Sequence, residues 1–225
     1  MAHKGGMITL KSGDGAEIET YHVKADGVRR GGLVLIMEIF GVTDHIKDLC
    51  DAFAERGYDV LSPQLYDRQV KDFKASYSPE DIKKSLDYRT ANSYENAVLD
   101  TQMCIDRLRA DGATKVFMTG YCYGGSVTWV SACRVKGLTA ASSYYGGAIK
   151  DFISEKPTVP IICHFGSRDQ SIPLDIVEKI KTAHPEVNVY VYDAEHGFNS
   201  DRRNNYDRPS AELAVKRTLE LFDQS

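Results

Sequence analysis

The sequence predicts an α/β fold in which a mostly parallel central sheet lies between helices. Short apolar runs alternate with longer amphipathic or polar stretches, the pattern of strands alternating with helices. The sharpest turn signal, Gly120-Tyr121-Cys122-Tyr123-Gly124-Gly125, stands between an apolar run and a helical stretch. With 42% hydrophobic and 27% charged residues, the 225-residue chain has enough apolar material for a large core. At this length one domain spanning residues 1–225 is expected.

Taken in order, Met7–Leu10 and Glu17–Val23 read as an opening hairpin across Gly13-Asp14-Gly15. Gly32–Ile39, Asp59–Leu61, Lys115–Thr119, Ala140–Tyr145, Val159–Phe165 and Val187–Tyr192 read as the remaining strands. Asn92 to Arg109 reads as a helix, with Asn92 and Glu95 as a capping box and Ala97, Thr101, Cys104, Ile105 and Leu108 on one face. Ser126 to Arg134 reads as another. The final helix has Pro209 near its first turn and Ala211, Val215, Thr218 and Phe222 at helical spacing. Ser62 to Ala91 is the least regular segment; its charges and Tyr66, Tyr77 and Tyr88 suit either a solvated excursion or a loop and short helix covering a site.

A net charge of −4 supplies no basic field for nucleic acid or anionic lipid, and no apolar window reaches the length of a membrane span. The five cysteines, Cys50, Cys104, Cys122, Cys133 and Cys163, are odd in number, with no C-x-x-C pair and no zinc-like spacing to His. A reducing, cytoplasmic location is expected, with no metal or organic cofactor, no nucleic acid partner and no membrane partner. The oligomeric state is open, and a monomer is the default.

The chemistry concentrates in the strand–turn–helix around Cys122. A nucleophile at such a turn is forced into a strained backbone, and flanking glycines let strand and helix pass without clash. A buried, inert cysteine beside a packing turn is the bland alternative. A cysteine nucleophile needs a base, and the base an orienting acid, in the chain order Cys, Asp, His. Asp169 lies just beyond the run Val159–Phe165, and His196 in the loop after Val187–Tyr192, so all three fall at carboxyl ends of strands, where open α/β sheets bind ligands. Asp193 competes for the acid's role and His164 for the base's, although His164 reads as a strand residue. An unperturbed histidine titrates near 6.5, so turnover is expected to depend on an ionisation near neutrality.

The chain resembles the dienelactone hydrolases of the α/β-hydrolase fold. The likeness is carried by Met37-Glu38-Ile39-Phe40-Gly41, Ser62-Pro63-Gln64-Leu65-Tyr66, the Gly120–Gly125 elbow, Phe165-Gly166-x-x-Asp169-x-x-Ile172-Pro173 and His196-Gly197-Phe198. It implies a hydrolase without a large cap, in which the cysteine attacks an ester or lactone carbonyl and water hydrolyses the acyl-enzyme. It further implies that Glu38 lies beside the thiol and helps activate it, and that backbone amides of Ile39 and Tyr123 form the oxyanion hole. The family's type enzyme meets a substrate carboxylate with two arginines, one of them four residues after the catalytic histidine. Here that position is Ser200. Arg202 or Arg203 could substitute, and Lys83, Lys84 or Arg89 could supply the other cation, with Tyr123, Tyr144 and Tyr145 as apolar walls.

The expected activity is therefore hydrolysis of a small ester, lactone or thioester, of carboxymethylenebutenolidase type. The alternative is a non-catalytic ligand-binding or regulatory module on the same scaffold, since fold alone never establishes turnover. A flavodoxin-like binding protein is disfavoured because the chain has no Gly-rich phosphate loop.

Overall fold

The computed structural model of the chain describes residues 3–225. Strands β1 (Gly6–Lys11) and β2 (Glu17–Val23) form the expected antiparallel hairpin. Next come β3 (Gly31–Ile36), α1 (Asp44–Ala54), β4 (Tyr58–Pro63), α2 (Pro79–Ala91) and α3 (Tyr94–Ala110). The second half runs through β5 (Val116–Tyr121), α4 (Tyr123–Arg134), β6 (Ala140–Tyr144), β7 (Ile161–Gly166), α5 (Leu174–Ala183), β8 (Asn188–Tyr192) and α6 (Arg208–Gln224), with a 3₁₀ turn at Gly147–Phe152.

The eight strands form one sheet in the order β1-β2-β4-β3-β5-β6-β7-β8. Only β1/β2 and β2/β4 are antiparallel; the other neighbours are parallel. Strands β3 and β5 are buried along their whole length, which accounts for their unbroken apolar or small-residue character. On one face, Phe53 of α1 packs edge-on to Tyr58, Tyr58 meets Phe117 of β5, and Phe117 stacks on Phe222 of α6 at 4.5 Å. Helices α3 and α4 pack together and against β3 and β5, where Gly32 leaves room for Leu108. From β3 the chain crosses to β4 on one side and later returns to β5 on the other. The carboxyl ends of β3 and β5 thus flank a topological switch point, the crevice in which such sheets bind ligands.

Two boundaries differ from the sequence reading for local reasons. The N-cap of α3 is Ser93, whose hydroxyl accepts from Asn96 N–H at 3.1 Å, whereas Asn92 ends α2. Helix α4 begins at Tyr123, directly after the elbow, so Gly124 and Gly125 lie inside it in spite of glycine's poor helix propensity. The hairpin is tied to the helical layer by Arg68. Its guanidinium donates to Asp14 and, through two bonds of 2.7 and 2.8 Å, to the fully buried Asp100 of α3, which also accepts from Ser12 Oγ at 2.7 Å.

Candidate active site

Cys122 sits at φ 57° and ψ −112°, a strained combination for a residue with a side chain. The backbone tolerates it because the chain packs around glycine on both sides. A Cβ on Gly120 would come within 2.2 Å of Gly124 O, and one on Gly124 within 2.5 Å of Ile36 O. Cys122 N–H donates to Tyr144 O at 3.0 Å, which fixes the turn to β6. The amide of Tyr123 is the first of α4 and has no acceptor within the helix. Among the described residues the amide of Ile39 also donates to no backbone or side-chain acceptor. These two amides come from the elbow and from the turn after β3, the pair of positions that this architecture uses for an oxyanion.

Asp169 is held at the end of β7 by its own loop: Oδ1 accepts from Ser171 N–H at 2.8 Å and Ile172 N–H at 3.1 Å. Its Oδ2 accepts from His196 Nδ1 at 2.7 Å, and the Cys122 sulfur stands close enough to act electrostatically on the ring. Burial works against a charge on His196, but the Cys122 sulfur and the Asp169 carboxylate outweigh it and raise the pKa to about 10. The site thus favours the protonated imidazole more than water does.

Glu38, in the turn after β3, is 1% exposed. Its Oε2 accepts from the Tyr77 hydroxyl at 3.4 Å, and Oε1 lies 3.5 Å from Arg203 Nη1 without a hydrogen-bond partner. Gly197 turns the His196 loop at φ +78°, and a Cβ there would come within 2.6 Å of Arg203 Nη1, so this glycine gives the guanidinium its path toward Glu38. Cys122 and His196 line a cavity of about 310 Å³ together with Arg203 and with Ile82, Leu86 and Arg89 of α2. The irregular segment therefore contributes part of the cavity wall. Among the described residues, no group of three or more His, Cys, Asp or Glu side chains could hold a metal ion.

The pattern of the "Dienelactone hydrolase family" matches residues 18–225. The chain belongs to that family. It is 30% identical over 240 residues to a Salmonella typhimurium protein named "Putative carboxymethylenebutenolidase", covering 99% of this chain and 88% of that one. An Escherichia coli protein of the same name is 31% identical over 207 residues, covering 85% and 76%. The crystal structure of a "Putative Dienelactone Hydrolase" from Klebsiella pneumoniae superposes with a TM-score of 0.86 at 28% identity over all of both chains. This dienelactone hydrolase family member is thus a hydrolase on the α/β-hydrolase fold.

Within the family framework, several residues lie away from the cavity. Arg202 points outward and pairs with Asp48 of α1, so it is not a wall of the site; Arg203 is. Tyr144 is fully buried with its hydroxyl on Thr218 Oγ1 at 2.8 Å, while Tyr145 lines the cavity with its ring 5.1 Å from that of His196. His164 is a core residue, hydrogen-bonded to Ser142 and Tyr192; burial first, then Arg217, lowers its pKa to about 3. Asp193 is exposed beside Arg168, and Lys83 and Lys84 are exposed on α2. Asn92 escaped the sequence reading as a site residue: its Nδ2 donates to the Tyr123 hydroxyl at 3.1 Å and so braces the residue after the nucleophile. Its cap-like character, the one local signal, pointed to the helix end instead. No helix among the described residues is long and apolar enough to cross a membrane.

Proposed function

We propose that the chain hydrolyses a small ester or lactone through Cys122, His196 and Asp169 by way of an acyl-enzyme. The reading is carried by one observation: Asp169 holds His196 at 2.7 Å, and His196 lines one cavity together with the strained elbow cysteine. The Cys122 thiolate attacks the carbonyl carbon, and the resulting oxyanion is received by the amides of Ile39 and Tyr123. His196 gives its proton to the departing alkoxide; from a lactone that alkoxide stays tethered to the acyl group. Water, deprotonated by His196, then attacks the thioester and releases the acid and the thiolate. Glu38 governs the charge beside the thiol. Arg203 and Arg89 suit an anionic or strongly polar acyl portion, because guanidinium groups make charge-assisted bonds with a carboxylate.

The test is hydrolysis of a panel of esters and lactones by the wild type and a Cys122→Ala variant, with iodoacetamide inactivation followed by mass spectrometry. Turnover is expected to fall to background in the variant and in step with alkylation of Cys122. A fully alkylated protein that still turns over overturns the mechanism, and a wild type inert toward the whole panel favours a binding module. On a lactone carrying a carboxylate, Arg203→Ala is expected to lose roughly ten- to a hundredfold in kcat/KM, the worth of a hydrogen bond to a charged group. Arg202→Ala, which leaves the cavity wall intact, is expected to change it little.

A further inference from the structure

Helix α2 differs from the other helices in what it buries. Of its 13 residues only Ser85 is buried, so no core face of its own holds it to the sheet. Lys83, Lys84 and Asp87 lie in solvent. The segment is fastened near its ends instead: Ala75 N–H donates to Phe40 O at 3.0 Å before the helix, and Asn92 Nδ2 donates to the Tyr123 hydroxyl at 3.1 Å after it. Tyr88 packs edge-on to Phe73 at 4.8 Å. What α2 gives to the cavity is one stripe, Ile82, Leu86 and Arg89, at the i, i+4, i+7 spacing of a single helix face. The two apolar members are not absorbed by the core: Ile82 is partly buried and Leu86 is 44% exposed. A lone exposed leucine is ordinary. One that stands a turn from a second aliphatic residue, in the wall of the cavity that holds Cys122, with Phe40 and Ile172 in the same wall, is apolar surface that a bound hydrocarbon can cover.

The order of the sheet decides which part of a substrate meets this stripe. A base that hands its proton to the leaving group has that group on its own side, so the alcohol portion lies toward the His196 loop, which follows β8. Helix α2 follows β4, and β4 and β8 lie on opposite sides of β5, the strand that ends in the elbow. Arg89, at the end of the stripe, stands close enough to Tyr94, Tyr123 and Cys122 to act on them electrostatically. The acyl portion, directed away from His196, is then the part that runs along α2. We propose that Ile82 and Leu86 are specificity-determining residues that receive an apolar chain of the acyl group, so that the acyl groups favoured are longer and more apolar than acetyl. The inference rests on the hydrolase reading of Cys122 and deepens it: Arg89 takes the polar part of the acyl group, and the neighbouring turn of the same helix takes its hydrocarbon part.

The experiment uses p-nitrophenyl acetate, butyrate and hexanoate, which share one leaving group and differ only in the acyl chain. They are assayed with wild type, Leu86→Ala, Ile82→Ala and the double variant, with Cys122→Ala as the blank and thermal unfolding as a control. Alanine keeps the helix propensity of α2, and neither side chain is part of the buried core. A methylene fully removed from water is worth about fourfold, so the four added between acetate and hexanoate, in part covered by the stripe, are expected to raise the wild-type kcat/KM roughly tenfold or more. Each single variant is expected to lose about five- to tenfold on the hexanoate and no more than about twofold on the acetate, and the double variant to flatten the series. A merely loosened helix would lower all three esters alike. An equal loss on the three esters, an unchanged series in the double variant, or a wild type whose kcat/KM does not rise with chain length overturns the proposal. If no ester is turned over above the Cys122→Ala blank, the hydrolase reading itself fails, and the assignment of the stripe falls with it.

Discussion

At the scale of single residues, the site depends on which of two neighbours faces the cavity. Tyr144 ends β6, while Tyr145 follows it at φ 39°, outside the extended region, and of the two only Tyr145 lines the cavity. The sequence offered both as walls, because no strand period tells which side a residue past the strand end faces. Arg202 and Arg203 pose the same problem in a loop, where no period applies; the turn at Gly197 sends one to Asp48 and the other to Glu38. Cys122, Asp169 and His196 were legible because each carries a local signature, and strand ends alone bring them to one edge. Asp169→Asn should leave the fold intact but change the tautomer and orientation of His196, costing about three to four orders of magnitude in kcat by analogy with other triads. An unchanged kcat would shift the orienting role elsewhere. The pH profile is a second check. Because His196 is held up to about 10, its proton is present through the neutral range and is lost only as pH rises through that value. The alkaline limb of kcat/KM for an ester is therefore expected near 10, and a limb near 6.5 would show that the Cys122–His196 pair is not charged.

At the scale of elements, the elbow was legible and its neighbourhood was not. Glycine spacing announced the turn, whereas the start of α4 inside Gly124-Gly125 follows from close approach to β3, a contact that no local propensity encodes. Gly124→Ala would drive a Cβ to 2.5 Å from a backbone carbonyl of β3, and neither partner is a flexible side chain. A loss of about 3 kcal/mol in denaturant-unfolding free energy is expected, with most of the activity. The cap of α3 shows the limit of motif reading: Asn92 and Ser93 are both capping residues, and the end of α2 decides between them. The Arg68 tie was invisible, because Asp14 and Asp100 come from distant parts of the chain. Breaking a buried charge pair by removing one partner leaves the other uncompensated, so Arg68→Met should destabilise by about 3 kcal/mol or more in urea unfolding. A variant as stable as wild type would mean that Asp100 finds another partner.

At the scale of the whole molecule, the alternation of apolar runs was enough for the sheet, since each run is a strand and each gap after β3 is long enough for a crossover. With a net charge of −4, long-range attraction for an anion is absent, and any preference for a charged acyl group must arise within the cavity. Raising salt should therefore change KM for a carboxylate-bearing lactone only modestly, by less than about threefold between low and near-molar ionic strength. A steep dependence would indicate steering by exposed cations instead.

The sheet order carries one more consequence. Strand β8 is the last in the sheet, paired on one side only, by β7, and clipped from α6 by Arg217, whose guanidinium lies 4.0 Å from the Tyr190 ring centroid. His196 hangs four residues beyond this outermost ribbon, while Cys122 sits deep in the middle of the sheet. Edge elements open by local fraying at a lower free energy than the whole molecule unfolds. The base can be detached while the nucleophile's scaffold stays intact, so in rising urea activity should vanish before the central tryptophan environment of Trp129 changes, and amide protons of β8 should exchange faster than those of β5. Arg217→Ala should widen the gap between the two transitions, whereas coincident loss of activity and fluorescence in both proteins would mean that the margin and the centre of the sheet melt as one unit.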